Sequence, residues 1–242
     1  VKSVISMSSA MAIFFVGYEW LRNSVLAMFT SEKTGFSSSS ALPFAVGCVG
    51  PFSVLLLSFY THTLEKKGPR KALWKSTVSC AVVSFFCAGL LQSITTWDLV
   101  QTSTSHSASK VILFFLFIHQ TSNVQLLYTQ YWSFLSSVMS PREGAIWFAP
   151  IAGIGSITST IAAAGVSYLV EIFGLVGLIF CASTVIFLGG FLSDHAYEIA
   201  FQNGFEPAKK CIEKGSNDGS SIDSKHERKD NFSSEKKQNK NE

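Results

Sequence analysis

No Cys-x-x-Cys pair occurs among the five cysteines, at positions 48, 80, 87, 181 and 211, so neither a disulfide framework nor a zinc site is indicated. Four of them fall in apolar runs, where a thiol packs as a small hydrophobe. Charge is scarce as well: Asp, Glu, Lys and Arg make up 14% of the chain, and over half of these lie after Ser193. A signal peptide is not evident, because the first apolar run is too long for one and carries Glu19 and Arg22. A phosphate-cradling loop is missing too, since "GIGS" at 153–156 has no Lys after it and no strand before it. No nucleophile–base pair, metal cluster or cofactor fingerprint emerges, so an enzyme, a cofactor and a nucleic-acid partner are not expected.

What the chain has instead is apolar length. Of its 242 residues 48% are hydrophobic and 13% aromatic, with mean hydropathy +0.31 despite a strongly polar end. A bilayer core about 30 Å thick needs roughly 20 apolar residues in a helix. Six such runs appear, at Val4 to Phe29, Ala41 to His62, Ala72 to Ile94, Val111 to Met139, Ala145 to Val170 and Gly174 to Ser193. The gaps "SEKTGFSSSS", "LEKKGPRK" and "SPREG" hold the residues that end helices and turn chains. Lipid cannot satisfy unpaired backbone groups, so the expected fold is an all-α integral membrane protein with six transmembrane helices over residues 1–193. Membrane lipid is its expected surrounding.

Residues 194–242 carry nine basic and ten acidic groups and too few apolar ones to build a core, which predicts a disordered C-terminal tail. Basic residues set the orientation. Lys66, Lys67, Arg70, Lys71 and, just beyond, Lys75 crowd the second loop, and Arg142 marks the fourth, whereas the first and third offer only Lys33 and Lys110. Even loops and both termini are therefore expected on the cytoplasm-like side. The chain opens on Val rather than Met, which leaves room for an upstream targeting segment.

Polar groups inside the runs mark candidate sites, because a charge at mid-membrane costs about 2.5 to 3.5 kcal/mol on insertion scales. Glu19 and Arg22 stand three apart, on one helical face. Two readings stand: an ion pair that fixes helix packing, or an Arg aimed at an anionic solute with Glu19 orienting it. The fourth run, "FIHQTSNVQLLYTQYW", holds His119, Gln120, Ser122, Asn123, Gln125, Tyr128, Gln130 and Tyr131, too many polar groups for a lipid face. Part of this helix is expected to line a cavity. For His119, an interhelical hydrogen bond and a proton relay with Glu19 both remain open. The fifth run, "APIAGIGSITSTIAAAGVSYL", is rich in Gly, Ala and Ser, the residues that let membrane helices approach closely.

The stretch "YWSFLSSVMSPREGAIWFAPIAGIGS" resembles the ATP/ADP translocase family of plastids and intracellular bacteria. Tyr131 and Trp132 match its aromatic-Trp pair, Glu143 its acidic position in the break, and Trp147, Phe148, Pro150 and Gly153 the start of its next helix. "YEWLRNSVLAMFT" is similar to the family's first helix, with Arg22 and Asn23 at its basic and acidic places, and Pro51 matches a proline entering its second. The loop "THTLEKKGPRKALW" resembles the turn between helices two and three of the major facilitator superfamily, through Glu65, Lys66, Gly68, Arg70 and Lys71. Together the likenesses cover about residues 16 to 180 and imply one half of a major facilitator-type transporter. They also lean toward a plastid or other intracellular membrane.

Two carboxylates of the family are amides here, at Asn23 and Gln120; an amide can hydrogen-bond a base or ribose but cannot exchange a proton at neutral pH. The site implied has Arg22 on an anion, positioned by Glu19, with Asn23, Gln120 and Asn123 on polar groups and Tyr131 or Trp132 against a flat ring. The expected function is transport of nucleotides or a related anionic solute by alternating access, with a second six-helix half or another copy as partner. The alternative is a non-transporting membrane scaffold derived from a transporter.

Overall fold

The computed structural model describes residues 2–31, 34–36, 38, 40–97 and 103–202. Among these the chain is all-helical, without strands. It forms α1 (Lys2–Thr30), α2 (Ala41–Trp97), α3 (Ser103–Val138), α4 (Pro141–Ala164) and α5 (Val166–Gln202). All five are long and apolar enough to cross a bilayer, the make-up of a multi-pass membrane protein.

A straight helix of α2's 57 residues would run about 85 Å, far beyond any bilayer. It does not run straight. Gly68 has φ 78° and ψ 169°, a conformation that residues with a Cβ rarely adopt, and the following Pro69 disfavours helical backbone at Gly68 as well. The chain folds back there, so that Tyr60 and Thr63 of the first limb (41–67) share a cavity wall with Ala72, Ser76 and Ser79 of the second (69–97). Each limb is about 40 Å long.

A second glycine break, Gly174 with φ 71° and ψ 170°, divides α5. Between α4 and α5 there is little interruption. Gly165 has φ −77° and ψ −10°, its N–H bonds to the carbonyl of Ile161 at 3.1 Å, and Leu169 N–H bonds to Gly165 O at 3.1 Å. The turn expected between Val170 and Gly174 is therefore made at Gly174, the position where positive φ is available.

α4 begins with a capping box. Ser140 Oγ accepts from the Glu143 N–H at 3.3 Å, while Glu143 Oε2 accepts from the Ser140 N–H at 3.0 Å and its hydroxyl at 2.8 Å. Pro141 at the first helical position gives up no useful N–H. This is how "SPREG" separates two apolar stretches: it ends α3 and starts α4 with its orphan donors satisfied. Hydrogen bonds from the Ser140 backbone and side chain hold the exposed Glu143 carboxyl below the usual range.

α1 is the hub. Met7, Ala10, Met11, Phe14, Gly17, Leu21, Ser24, Val25 and Met28 are buried along it, touching α3, α4 and α5 on different sides. Against α5 the backbones come close, since a Cβ on Gly17 would sit 2.8 Å from Ile186 Cγ1 and 2.9 Å from the Ala182 carbonyl oxygen. Close approach was expected of the small residues of α4, but there only Gly144, Ile151, Gly155 and Ala162 are buried and nothing lies within 4 Å of the Gly153 position.

The tail expected to begin at Asp194 starts later than that. α5 continues to Gln202, burying Ala196, Tyr197 and Ala200, so residues 194–202 belong to the folded unit; the remaining tail, 203–242, lies outside the described residues. The four described cysteines are free thiols.

Candidate functional site

Glu19 sits on the buried side of α1, only 8% exposed, with partners on two helices. Ser159 Oγ on α4 donates to Glu19 Oε1 at 2.7 Å, and Asn23 Nδ2 reaches Oε2 at 3.4 Å. Asn23 makes its shorter bond, 2.8 Å, to the Glu19 carbonyl. Beside these, Trp20 Nε1 donates to the Ala162 carbonyl at 3.3 Å. Glu19 is thus a joint between α1 and α4, which accounts for a carboxylate in an apolar helix: its lone pairs are used and a guanidinium stands beside it.

Arg22 is placed differently. Its Nη1 lies 3.6 Å from Glu19 Oε2, too long for a good hydrogen bond, and the side chain is 55% exposed. It stands eight residues before the last residue of α1, about 12 Å inside the helix end. Glu19 therefore tethers Arg22 from below and leaves its donors open.

Ring contacts fix the register of α3 against α1. Phe14 stands 5.9 Å from Tyr131 and Phe29 stands 5.3 Å from Phe117, so the helices are antiparallel and residues 122–124 share the depth of Arg22 and Asn23. The polar residues of α3 divide into two faces. His119, Gln120, Ser122, Asn123 and Gln130 point into the bundle, while Gln125, Thr129, Ser133 and Ser136 recur every three or four residues on an exposed face. Gln125, one to two residues from the level of Arg22, belongs to the exposed set.

Of the seven residues singled out from the sequence, the structure brings Glu19, Arg22 and Asn23 together. Asn123 is 3% exposed and lines a narrow cavity with Tyr60, Lys75 and Ser76; its Nδ2 donates to the His119 carbonyl at 2.9 Å. Gln120 is 1% exposed, and neither amide atom finds a partner among the described residues. Tyr131, 1% exposed, is core: it lies between Phe14 of α1 and Ser193 of α5 and offers no face to a ligand. The accessible tyrosine is Tyr128, 40% exposed and 5.9 Å from the ring of Trp132. Phe15 on α1 at 5.9 Å from Tyr128, and Phe148 on α4 at 5.5 Å from Trp132, complete a row of rings across three helices. Tyr128 is about one helical turn from the Arg22 level.

A second charged group was not foreseen as a site. Arg70, two residues past the Gly68 break, donates to both carboxylate oxygens of Asp194, at 2.7 Å (Nε to Oδ1) and 2.9 Å (Nη2 to Oδ2), and to Glu198 Oε2 at 2.6 Å. This three-residue clamp joins the turn of α2 to the end of α5, beyond the apolar stretch that closes at Ser193. The Arg70 hydrogen bond holds the Asp194 carboxyl below its ordinary range. Asp194 in turn raises the guanidinium further above neutrality, so the clamp is charged at any physiological pH.

No family model, no curated protein and no solved structure matches this chain.

Proposed function

We propose that the chain is a six-crossing half of a membrane transporter for nucleotides or a related anionic solute, working by alternating access. The two limbs of α2 are each long enough to cross alone, and counting them separately turns five apolar helices into six crossings with both termini on one side. The Lys and Arg residues at the Gly68 turn favour the cytoplasm-like side for that turn and for both termini.

The observation that carries the reading is the half-exposed Arg22 guanidinium well inside an apolar helix. Such a group is tolerated where it meets water or an anion rather than acyl chains. Gln125, Thr129, Ser133 and Ser136 extend the same wettable character along α3. Tyr128 offers a ring face about one turn away and Trp132 another a turn beyond it, a spacing suited to an anion joined to a flat base. The residues proposed to contact solute are Arg22, Gln125, Tyr128 and Trp132, with Glu19 and Asn23 positioning Arg22. The resemblance to the ATP/ADP translocases, at Arg22 and around Tyr131 to Gly153, points the same way.

The first limb of α2 and most of α4 leave large apolar side chains uncovered, among them Phe44, Val54, Phe59, Ile146, Ile157 and Ile161. Acyl chains cover such side chains as well as a protein partner would, so they fit a half-transporter and equally the competing reading of a non-transporting membrane subunit held in a larger assembly. Uptake into proteoliposomes separates the two. Transport requires saturable entry of labelled nucleotide that Arg22→Ala abolishes while insertion is unchanged; a scaffold gives no flux with either protein and co-purifies with a stoichiometric partner in mild detergent.

A further inference from the structure

The Gly68 turn of α2 concentrates cations that the clamp does not use. Arg70 is occupied by Asp194 and Glu198, but Lys66, Lys67, Lys71 and Lys75 are all exposed, and among the described residues none of them has an acidic partner within salt-bridge distance. Lys71 and Lys75 are one helical turn apart at the start of the second limb, and Lys67 ends the first limb just before the Gly68 turn. Ammonium groups drawn together without a carboxylate between them are a receptor for an anion that bridges them.

The surface beneath is built to continue such a contact. Lys75 stands at the edge of a cavity lined by Leu56, Tyr60, Thr63, Ser76 and Asn123. Through Tyr60 and Leu126 this cavity joins a groove of about 350 Å³ between the first limb of α2 and α3, where Leu57, Leu64 and Leu126 form an apolar strip beside the polar Gln125, Thr129 and Ser133. Inside the groove lies Gln130, 5% exposed. Its Oε1 accepts from Ser76 Oγ at 3.0 Å, but its Nε2 meets no acceptor among the described residues. A buried N–H without an acceptor costs about 1–3 kcal/mol, so a site that supplies a carbonyl oxygen there is favoured.

We propose that the Gly68 hairpin and the adjoining α2–α3 groove hold one anionic phospholipid: Lys67, Lys71 and Lys75 take the phosphate, an acyl chain lies in the groove, and Gln130 Nε2 donates to a glycerol ester carbonyl. A free phosphate satisfies the lysines but leaves both the groove and Gln130 unfilled. Charge complementarity with the anionic leaflet on that side of the membrane supplies the attraction. The site rests on the chain being a membrane protein, and not on its moving a solute.

Native mass spectrometry of the full chain, purified in neutral detergent and titrated with phosphatidylglycerol or phosphatidylcholine, tests this. One phosphatidylglycerol per chain is expected to persist at activation energies that strip phosphatidylcholine. The Lys67→Gln/Lys71→Gln/Lys75→Gln triple variant, which alters only exposed groups, is expected to weaken retention on the order of 100-fold, each lysine near an anionic surface being worth roughly a factor of five. Gln130→Leu is expected to weaken it less, while Lys110→Gln at the opposite end leaves it unchanged. Equal retention by the triple variant, equal loss with Lys110→Gln, or full displacement by millimolar inorganic phosphate each overturns the proposal.

Discussion

Ser159 on α4 donates its hydroxyl hydrogen to the Glu19 carboxylate of α1 at 2.7 Å, and the same carboxylate stands 3.6 Å from Arg22. One buried acid thus both joins two helices and aims a cation. The two duties separate on mutation. Ser159→Ala leaves an oxygen of a buried carboxylate short of a partner and is expected to destabilise the detergent-solubilised protein by about 1–3 kcal/mol. Glu19→Gln keeps an acceptor for Ser159 but loses the charge beside Arg22, so the expected pattern is a smaller loss in thermal stability with a larger loss in nucleotide affinity. Calorimetry and equilibrium binding on the same preparations check it.

Close approach at Gly17 makes a sharper packing test. Gly17→Val places carbon atoms where Ile186 and the Ala182 carbonyl now lie, and overpacking of this kind costs about 1–3 kcal/mol. Gly153→Ala, where the Cβ meets nothing within 4 Å, is expected to leave the melting temperature unchanged or raise it slightly. Parallel thermal melts of the two variants read the difference directly.

The clamp at Arg70 has a pH signature. Because the Arg70 hydrogen bond depresses the native Asp194 pKa, its contribution is fully present above the ordinary aspartate value and declines as pH falls below about 4 toward the depressed one. With both partners about 40% exposed, that contribution is small, about 1 kcal/mol after screening. Arg70→Gln is expected to free residues 194–202 from the α2 turn, seen as faster amide exchange in that segment, and to remove this part of the acid sensitivity.

Several of these features can be read directly from the residues. The apolar runs are long and nearly uncharged, so the helices that could cross a membrane are legible from length alone. Gly68-Pro69 announces a reversal, because one residue takes positive φ easily and the next disfavours helix before it. The Ser140 and Glu143 spacing is equally readable as a helix start, and the reciprocal bonds between them follow from that geometry.

What sequence hides is helical phase and distant pairing. Tyr128 and Tyr131 are three residues apart on a helix covered on most sides, and nothing in their chemistry says that the first is exposed while the second is core. Asp194 and Glu198 look like the start of a polar tail until α5 is seen to carry them past Ser193 to Arg70, 124 and 128 residues away in sequence. The small residues of α4 suggested close packing there, yet among the helical glycines it is Gly17, where α1 meets α5, that leaves the least room for a Cβ.

Whether Arg22 faces water is the point on which a solute site depends. With the five native cysteines replaced by alanine, Arg22→Cys in intact proteoliposomes can be offered a membrane-impermeant maleimide and, separately, a lipid-soluble one. Rapid labelling by the impermeant reagent is the expected result. Reaction with the lipid-soluble reagent alone would contradict it, placing the side chain against acyl chains.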